Sequence, residues 1–227
     1  MDLAVTRLLK CITLLLGTAL VGSANADIID IISEEGTSCV YEDGYTGGSP
    51  TDCTTVEIVA HDAWQDENPE GRGAVWVSYD ETGIDGDVVA PTDGDDPIFT
   101  IVESFEIASD GTLDFWIWAD DTADLFFNVS GEDLDEIFQH NLSQGTCAAG
   151  KIGCEPHEGY NMVLDLGPGS YDITMSIWQI GTGTTNPSNP FGVLYSGSVV
   201  TSVPEPGTLA LLGLGLLGIG ASRRRRV

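Results

Sequence analysis

Positive charge is nearly absent from most of this chain. Of its 8 Lys and Arg residues, only Arg72 and Lys151 lie between Asp27 and Val203. The same 177 residues hold 34 of the 36 acidic residues, which gives the stretch a net charge of −32. Such a field repels nucleic acid and anionic membrane surfaces, which makes both poor partners, and no nucleic-acid partner is expected. It suits a hydrated matrix, divalent cations and cationic partners. Tryptophans and β-branched runs recur throughout, so the stretch is not a disordered acidic tail.

The signatures of several chemistries are missing too. There is no phosphate-binding loop, no dinucleotide fingerprint and no Gly-x-Ser-x-Gly nucleophile elbow. The three histidines, His61, His140 and His157, lie far apart, and none has metal-motif spacing to another. No Cys-x-x-Cys spacing supports zinc. The expectation is a protein that is not an enzyme. A secreted hydrolase built on paired carboxylates is the least favoured reading.

Helical periodicity is also scarce between Asp27 and Val203. Short β-rich runs take its place, separated by Gly, Asp, Asn and Pro. The expected strands are Ile28–Ile32, Val56–Trp64, Gly73–Tyr79, Phe99–Ala108, Thr112–Ala119, Asp124–Val129, Tyr160–Leu166, Ser170–Ile180 and Gly192–Val200. Alternation is clearest from Ser170 to Trp178, with Tyr171, Ile173, Met175 and Ile177 on one face. Residues Gly131–Gln139 read as a short helix, or as a loop and a brief edge strand. A chain of this length with so many short runs is expected to form an all-β antiparallel sandwich, jelly-roll-like, over residues 27–203.

The two ends read as export signals. Arg7 and Lys10 precede an apolar run, Cys11–Val21, and Ser23-Ala24-Asn25-Ala26 supplies small residues for signal peptidase. Residues 1–26 are therefore expected to form a signal helix that is cleaved after Ala26. At the other end, Leu209–Ala221 has no charged residue and Arg223, Arg224, Arg225 and Arg226 follow it. The expectation is a transmembrane sorting helix that transiently anchors the chain, with the arginines as a cytoplasmic stop.

Four cysteines lie between the ends: Cys39, Cys53, Cys147 and Cys154. In an oxidising compartment an even number reads as two disulfides. Three pairings are open. The neighbour pairing, Cys39–Cys53 with Cys147–Cys154, closes the shortest loops.

Val203, Pro204, Glu205 and Pro206, followed by the Leu/Gly run and the arginines, resemble the PEP-CTERM sorting signal of Gram-negative bacteria. The resemblance covers residues 204–227 and the valine before them. It implies an exosortase as partner and routing to the cell surface or the exopolysaccharide matrix. It implies nothing about chemistry.

Acids cluster in three loops: Asp80–Asp87, Asp93–Asp96, and Asp120-Asp121 with Asp124. Calcium takes several oxygen ligands in such loops, and Asp120 with Asp121 is the favoured pair. In the preceding strand, Leu113, Phe115 and Ile117 form one face, and Trp116, Trp118 and Asp114 form the other. The two tryptophans are either a sugar-stacking platform or covered packing. The segment Trp118–Gly131 resembles the paired-aspartate turn of galactose-binding-like and PA14-like jelly rolls. That likeness implies sugar or calcium binding near the turn. The expected function is thus a non-catalytic surface or matrix protein, with a calcium-assisted carbohydrate-binding module as the alternative.

Overall fold

The computed structural model describes residues 26–42, 49–87, 89, 96–132, 135–139, 152–179 and 190–202. Within them the chain forms β1 (Ile28–Ile32), β2 (Ser38–Tyr41), β3 (Thr51–Thr54), β4 (Val56–Glu57), β5 (Val77–Ser78) and β6 (Phe99–Ile107). It continues with β7 (Gly111–Asp120), β8 (Thr122–Val129), β9 (Glu136–Phe138), β10 (Tyr160–Leu166), β11 (Gly169–Trp178) and β12 (Gly192–Thr201). One sheet runs β10-β7-β12-β5-β4, with β1 also paired to β12. The other runs β3-β2-β6-β11-β8-β9. All the paired strands are antiparallel.

Alternation decides which faces meet. On β11, Tyr171, Ile173, Met175 and Ile177 are buried in the main core, as their spacing predicts. On β7, Leu113, Phe115, Ile117 and Ala119 turn to the same core, each 0 % exposed. β6 adds Phe99, Ile101, Phe105 and Ile107. A polar contact joins the sheets inside this layer: the Tyr195 hydroxyl on β12 donates to Glu103 Oε1 on β6 at 2.5 Å. Burial pushes the Glu103 carboxyl up, and the tyrosine hydrogen bond pulls it back.

A second apolar cluster, Ile58, Trp64, Ala74, Trp76, Trp118, Cys154 and Leu194, lies on the other face of the β7 sheet. It explains two shortened strands. The expected Val56–Trp64 and Gly73–Tyr79 reduce to Val56–Glu57 and Val77–Ser78. Their remaining apolar side chains cover the sheet instead of extending its ladder. The Trp64 N–H closes a turn on the His61 carbonyl at 2.9 Å, and the Gln65 N–H reaches the Cys154 carbonyl at 2.7 Å. The brief edge strand, not the helix, is what forms in Gly131–Gln139, since Glu136–Phe138 pairs with β8.

The fold class needs a correction. The sandwich was expected to carry a signal helix and a transmembrane sorting helix. Among the described residues the elements are strands and one 3-10 turn at Pro69–Gly71, and no helix there is long and apolar enough to cross a membrane. The transient anchor and the membrane-spanning segment are therefore withdrawn. The physical reason is legible: Leu209–Ala221 is 13 residues long and holds four glycines. A bilayer helix needs about 20 residues, and glycine disfavours helix. Both expected helices fall outside the described residues, apart from Ala26 at the end of the first.

Candidate functional site

The end of β7 brings the aromatic face and the paired acids together. Trp116 and Trp118 stack with ring centroids 5.6 Å apart and planes 12° from parallel. Trp118 is 4 % exposed, while Trp116 stays half-buried. The pair thus combines covered packing at one ring with a partly open surface at the other. Beside Trp116, Asn161 Nδ2 on β10 donates to Asp114 Oδ1 at 2.7 Å.

Trp118 meets an unusually close neighbour. A Cβ on Gly159 would lie 2.3 Å from its Nε1 and 2.4 Å from its Cε2. Only glycine lets the chain pass there. The indole N–H is buried and has no hydrogen-bond partner among the described residues.

Two residues beyond Trp118, Asp120 and Asp121 form the turn from β7 into β8. Both are buried, at 6 % and 4 % exposed, and the peptide bond between them is cis. Burial pushes the Asp120 carboxyl well above the usual aspartate range. The charge of Asp121 and a hydrogen bond with it push the same way. A hydrogen bond from Trp64 opposes them, and Glu158 adds further negative charge. Asp124 is also buried, and its Oδ2 accepts from Trp178 Nε1 at 3.1 Å. One indole donor from a loop, Trp64, thus meets Asp120, and one from a strand, Trp178, meets Asp124.

The other sequence candidates scatter. Asp80, Asp85 and Asp87 are exposed, and Asp93 and Asp95 lie outside the described residues. The His61 ring accepts the Ala63 N–H at 3.1 Å and takes no part in the cluster. His140 and Cys147 lie outside the described residues, as do Val203 to Pro206 and Arg223 to Arg226. Cys39 and Cys53, directly opposed on β2 and β3, are joined by a disulfide. Cys154 is also disulfide-bonded.

Sequence reading missed three contributors: Trp64, Trp178 and Glu158. Glu158 belongs to a turn, Glu155-Pro-His-Glu158, in which one histidine stands between two glutamates. A search for His–His spacing passes over that signal.

The family profile described as the PEP-CTERM protein-sorting motif matches residues 202–226. The chain carries a PEP-CTERM sorting motif. With that motif it is an exported, non-catalytic surface protein handled by an exosortase-type system. No curated protein matches it. Among solved structures it is similar to a GH26-CBM35 β-(1,4)-mannanase of Podospora anserina, at 12 % identity and TM-score 0.34 over 79 % of this chain and 28 % of that one. A family 35 carbohydrate binding module from Clostridium thermocellum gives 10 % identity and TM-score 0.32, over 75 % of this chain and 97 % of that one. A carbohydrate binding module from Cellvibrio mixtus lichenase 5A, in complex with cellotriose, gives 10 % and 0.27, over 74 % and 99 %. Likenesses this distant carry no argument about ligand or activity.

Proposed function

We propose that the exported body works as a non-catalytic component of the extracellular polysaccharide matrix, after signal peptidase has removed residues 1–26. The carrying observation is the sorting motif, which begins at residue 202, immediately after β12 ends at Thr201. A net charge of −32 over residues 27–203 keeps such a body soluble and hydrated among neutral or cation-bridged glycans. The test is fractionation of cells that make the full chain. The protein should co-purify with extracellular polysaccharide and be released when that polysaccharide is enzymatically degraded. Recovery only in a polysaccharide-free fraction overturns the proposal.

A second reading, a calcium-assisted carbohydrate-binding module, is favoured by the surroundings of Asp120. The charged groups that act on it, Asp121 and Glu158, are both acidic. A buried carboxylate next to like charge is costly unless a proton or a cation neutralises it. Calcium would be held by the Asp120 and Asp121 carboxylates. The half-open ring of Trp116, with Asp114 and Asn161 beside it, would supply the sugar-stacking surface. A glycan array on the exported protein, with and without calcium, tests this reading. Binding that needs both calcium and Trp116 supports it, and an array with no bound glycan in either condition refutes it.

A further inference from the structure

Beside Trp116 the outward face of β7 and β10 forms a patch two strands wide. Thr112, Asp114 and Trp116 follow one another on β7, and Asp165, Val163 and Asn161 stand opposite them on β10. Thr112, Asp114, Val163 and Asp165 are exposed. At about 3.3 Å per residue the row on β7 is about 13 Å long, which leaves room for more than one sugar ring. Trp118 lies against Trp116 from the C-terminal side of the strand. The uncovered side of the Trp116 ring is therefore the side toward Asp114.

The donors beside the indole are already spent inside the patch. Asn161 Nδ2 donates to Asp114 Oδ1 at 2.7 Å and to the Phe115 carbonyl at 3.4 Å. The Thr112 hydroxyl donates to Asp165 Oδ1 at 3.0 Å. Neither carboxylate has a further partner among the described residues. What the patch offers a ligand is thus acceptors: the second oxygens of Asp114 and Asp165 and the side-chain oxygen of Asn161. Asp114 and Asp165 are diagonal neighbours across the strand pair, about 7–8 Å apart, so that one small cation fits between their carboxylates.

Charge selects in the same direction. Arg72 is engaged by Asp30 at 2.8 Å and by Glu70 at 3.2 Å, and those two acids outnumber it. Asp30 lies two strands from Asp114, across Ser198. The body's other base, Lys151, lies outside the described residues. Such a surface repels an anionic sugar, and its field gives a neutral one no advantage. An ammonium group brings a positive charge, three donors and no acceptor.

Resting on the carbohydrate-binding reading of Trp116, we propose that this patch binds a polysaccharide with free amino groups. A pyranose ring lies on the open side of Trp116, and the protonated amine of that sugar or the next is held between Asp114 and Asp165. A lysine-rich protein carries the amines without the apolar ring faces that stack on an indole.

Calorimetric titration of the purified exported protein tests this, with calcium present and in a mildly acidic buffer that keeps sugar amines protonated. The ligands are glucosamine oligomers, N-acetylglucosamine oligomers of equal length, and oligolysine. The glucosamine oligomer should bind about tenfold tighter than its acetylated counterpart. Trp116→Ala, Asp114→Asn and Asp165→Asn should each weaken it about tenfold with an unchanged circular dichroism spectrum. Glu106→Gln removes an exposed acid from β6, in the other sheet, and should leave the affinity as it was. Equal affinity for the acetylated oligomer overturns the amino-sugar assignment and leaves the carbohydrate reading standing. No binding of any sugar overturns both. Oligolysine that binds as tightly as the amino sugar, or a loss in E106Q equal to that in D114N, reveals bulk attraction to an acidic body and also overturns the assignment.

Discussion

Gly159→Ala puts the packing of the aromatic cluster to the test. The added Cβ would sit 2.3 Å from Trp118 Nε1, 2.4 Å from Cε2 and 2.7 Å from Cζ2. Carbon and ring atoms do not approach so closely, so either the indole or the turn must move. The indole is hemmed in by its stack with Trp116 and by the buried Trp64, Trp76 and Leu194 of its cluster. Overpacking of this kind costs about 1–3 kcal/mol. In a domain of 150–250 residues, each kcal/mol lowers Tm by about 2–4 °C, so the loss should be about 2–12 °C. The assay is thermal unfolding followed by tryptophan emission. Gly167→Ala is the matched control, because nothing lies within 4 Å of its added Cβ. It should leave Tm unchanged or raise it slightly. Trp118→Phe removes the atoms nearest Gly159, so the double variant should lose less than the sum of the two singles. If Gly159→Ala melts with the wild type, the close approach does not exist and the cluster is not packed as described.

Acidification from pH 7.5 towards pH 5, with a chelator present, should raise Tm. Asp120, Glu103, Glu67 and Glu158 all have folded pKa values above their ordinary ones, with burial as the largest cause. The folded state therefore holds more protons than the unfolded chain, and stability is lost as pH rises through the raised values. Differential scanning calorimetry across that range checks this, and Asp120→Asn should flatten the slope; a Tm that falls on acidification contradicts it. For the calcium reading, calcium should raise Tm more than sodium chloride of matched ionic strength, by about 2.7 kcal/mol of stability at 100 times Kd. Asp120→Asn with Asp121→Asn should abolish that excess, and equal shifts in the two salts would rule the site out. Non-reducing peptide mapping should link Cys154 to Cys147 and Cys39 to Cys53, whose 14-residue separation is worth roughly 3 kcal/mol in the chain-entropy estimate. A peptide that joins Cys154 to any other cysteine refutes that pairing.

The long strands were legible because a half-buried strand writes its burial into alternate residues. β1 and β10 match the expected bounds, and β6, β7, β11 and β12 differ by one or two residues at their ends. Short edge strands were not legible. β2 and β3 hold four residues each, too few for a period of two to stand out, and pairing through Cys39 and Cys53 is a long-range fact. The apolar run Val56–Trp64 misled for a different reason. Apolar residues also arise where a loop covers a sheet, and composition alone does not separate the two. At the site, the Asp-Asp turn and the two-faced β7 were visible in the sequence. Their partners Trp64 and Glu158 come from loops brought in by tertiary folding, and no local pattern announces them.

The central claim is that residues 202–226 route a folded acidic body to the cell surface. The direct measurement is the surface-exposed fraction of the protein, read by protease shaving of intact cells, with and without residues 202–227. The account predicts that the full chain is shaved from intact cells and that the truncated chain is exported but absent from the surface. Equal surface exposure of the two would contradict it.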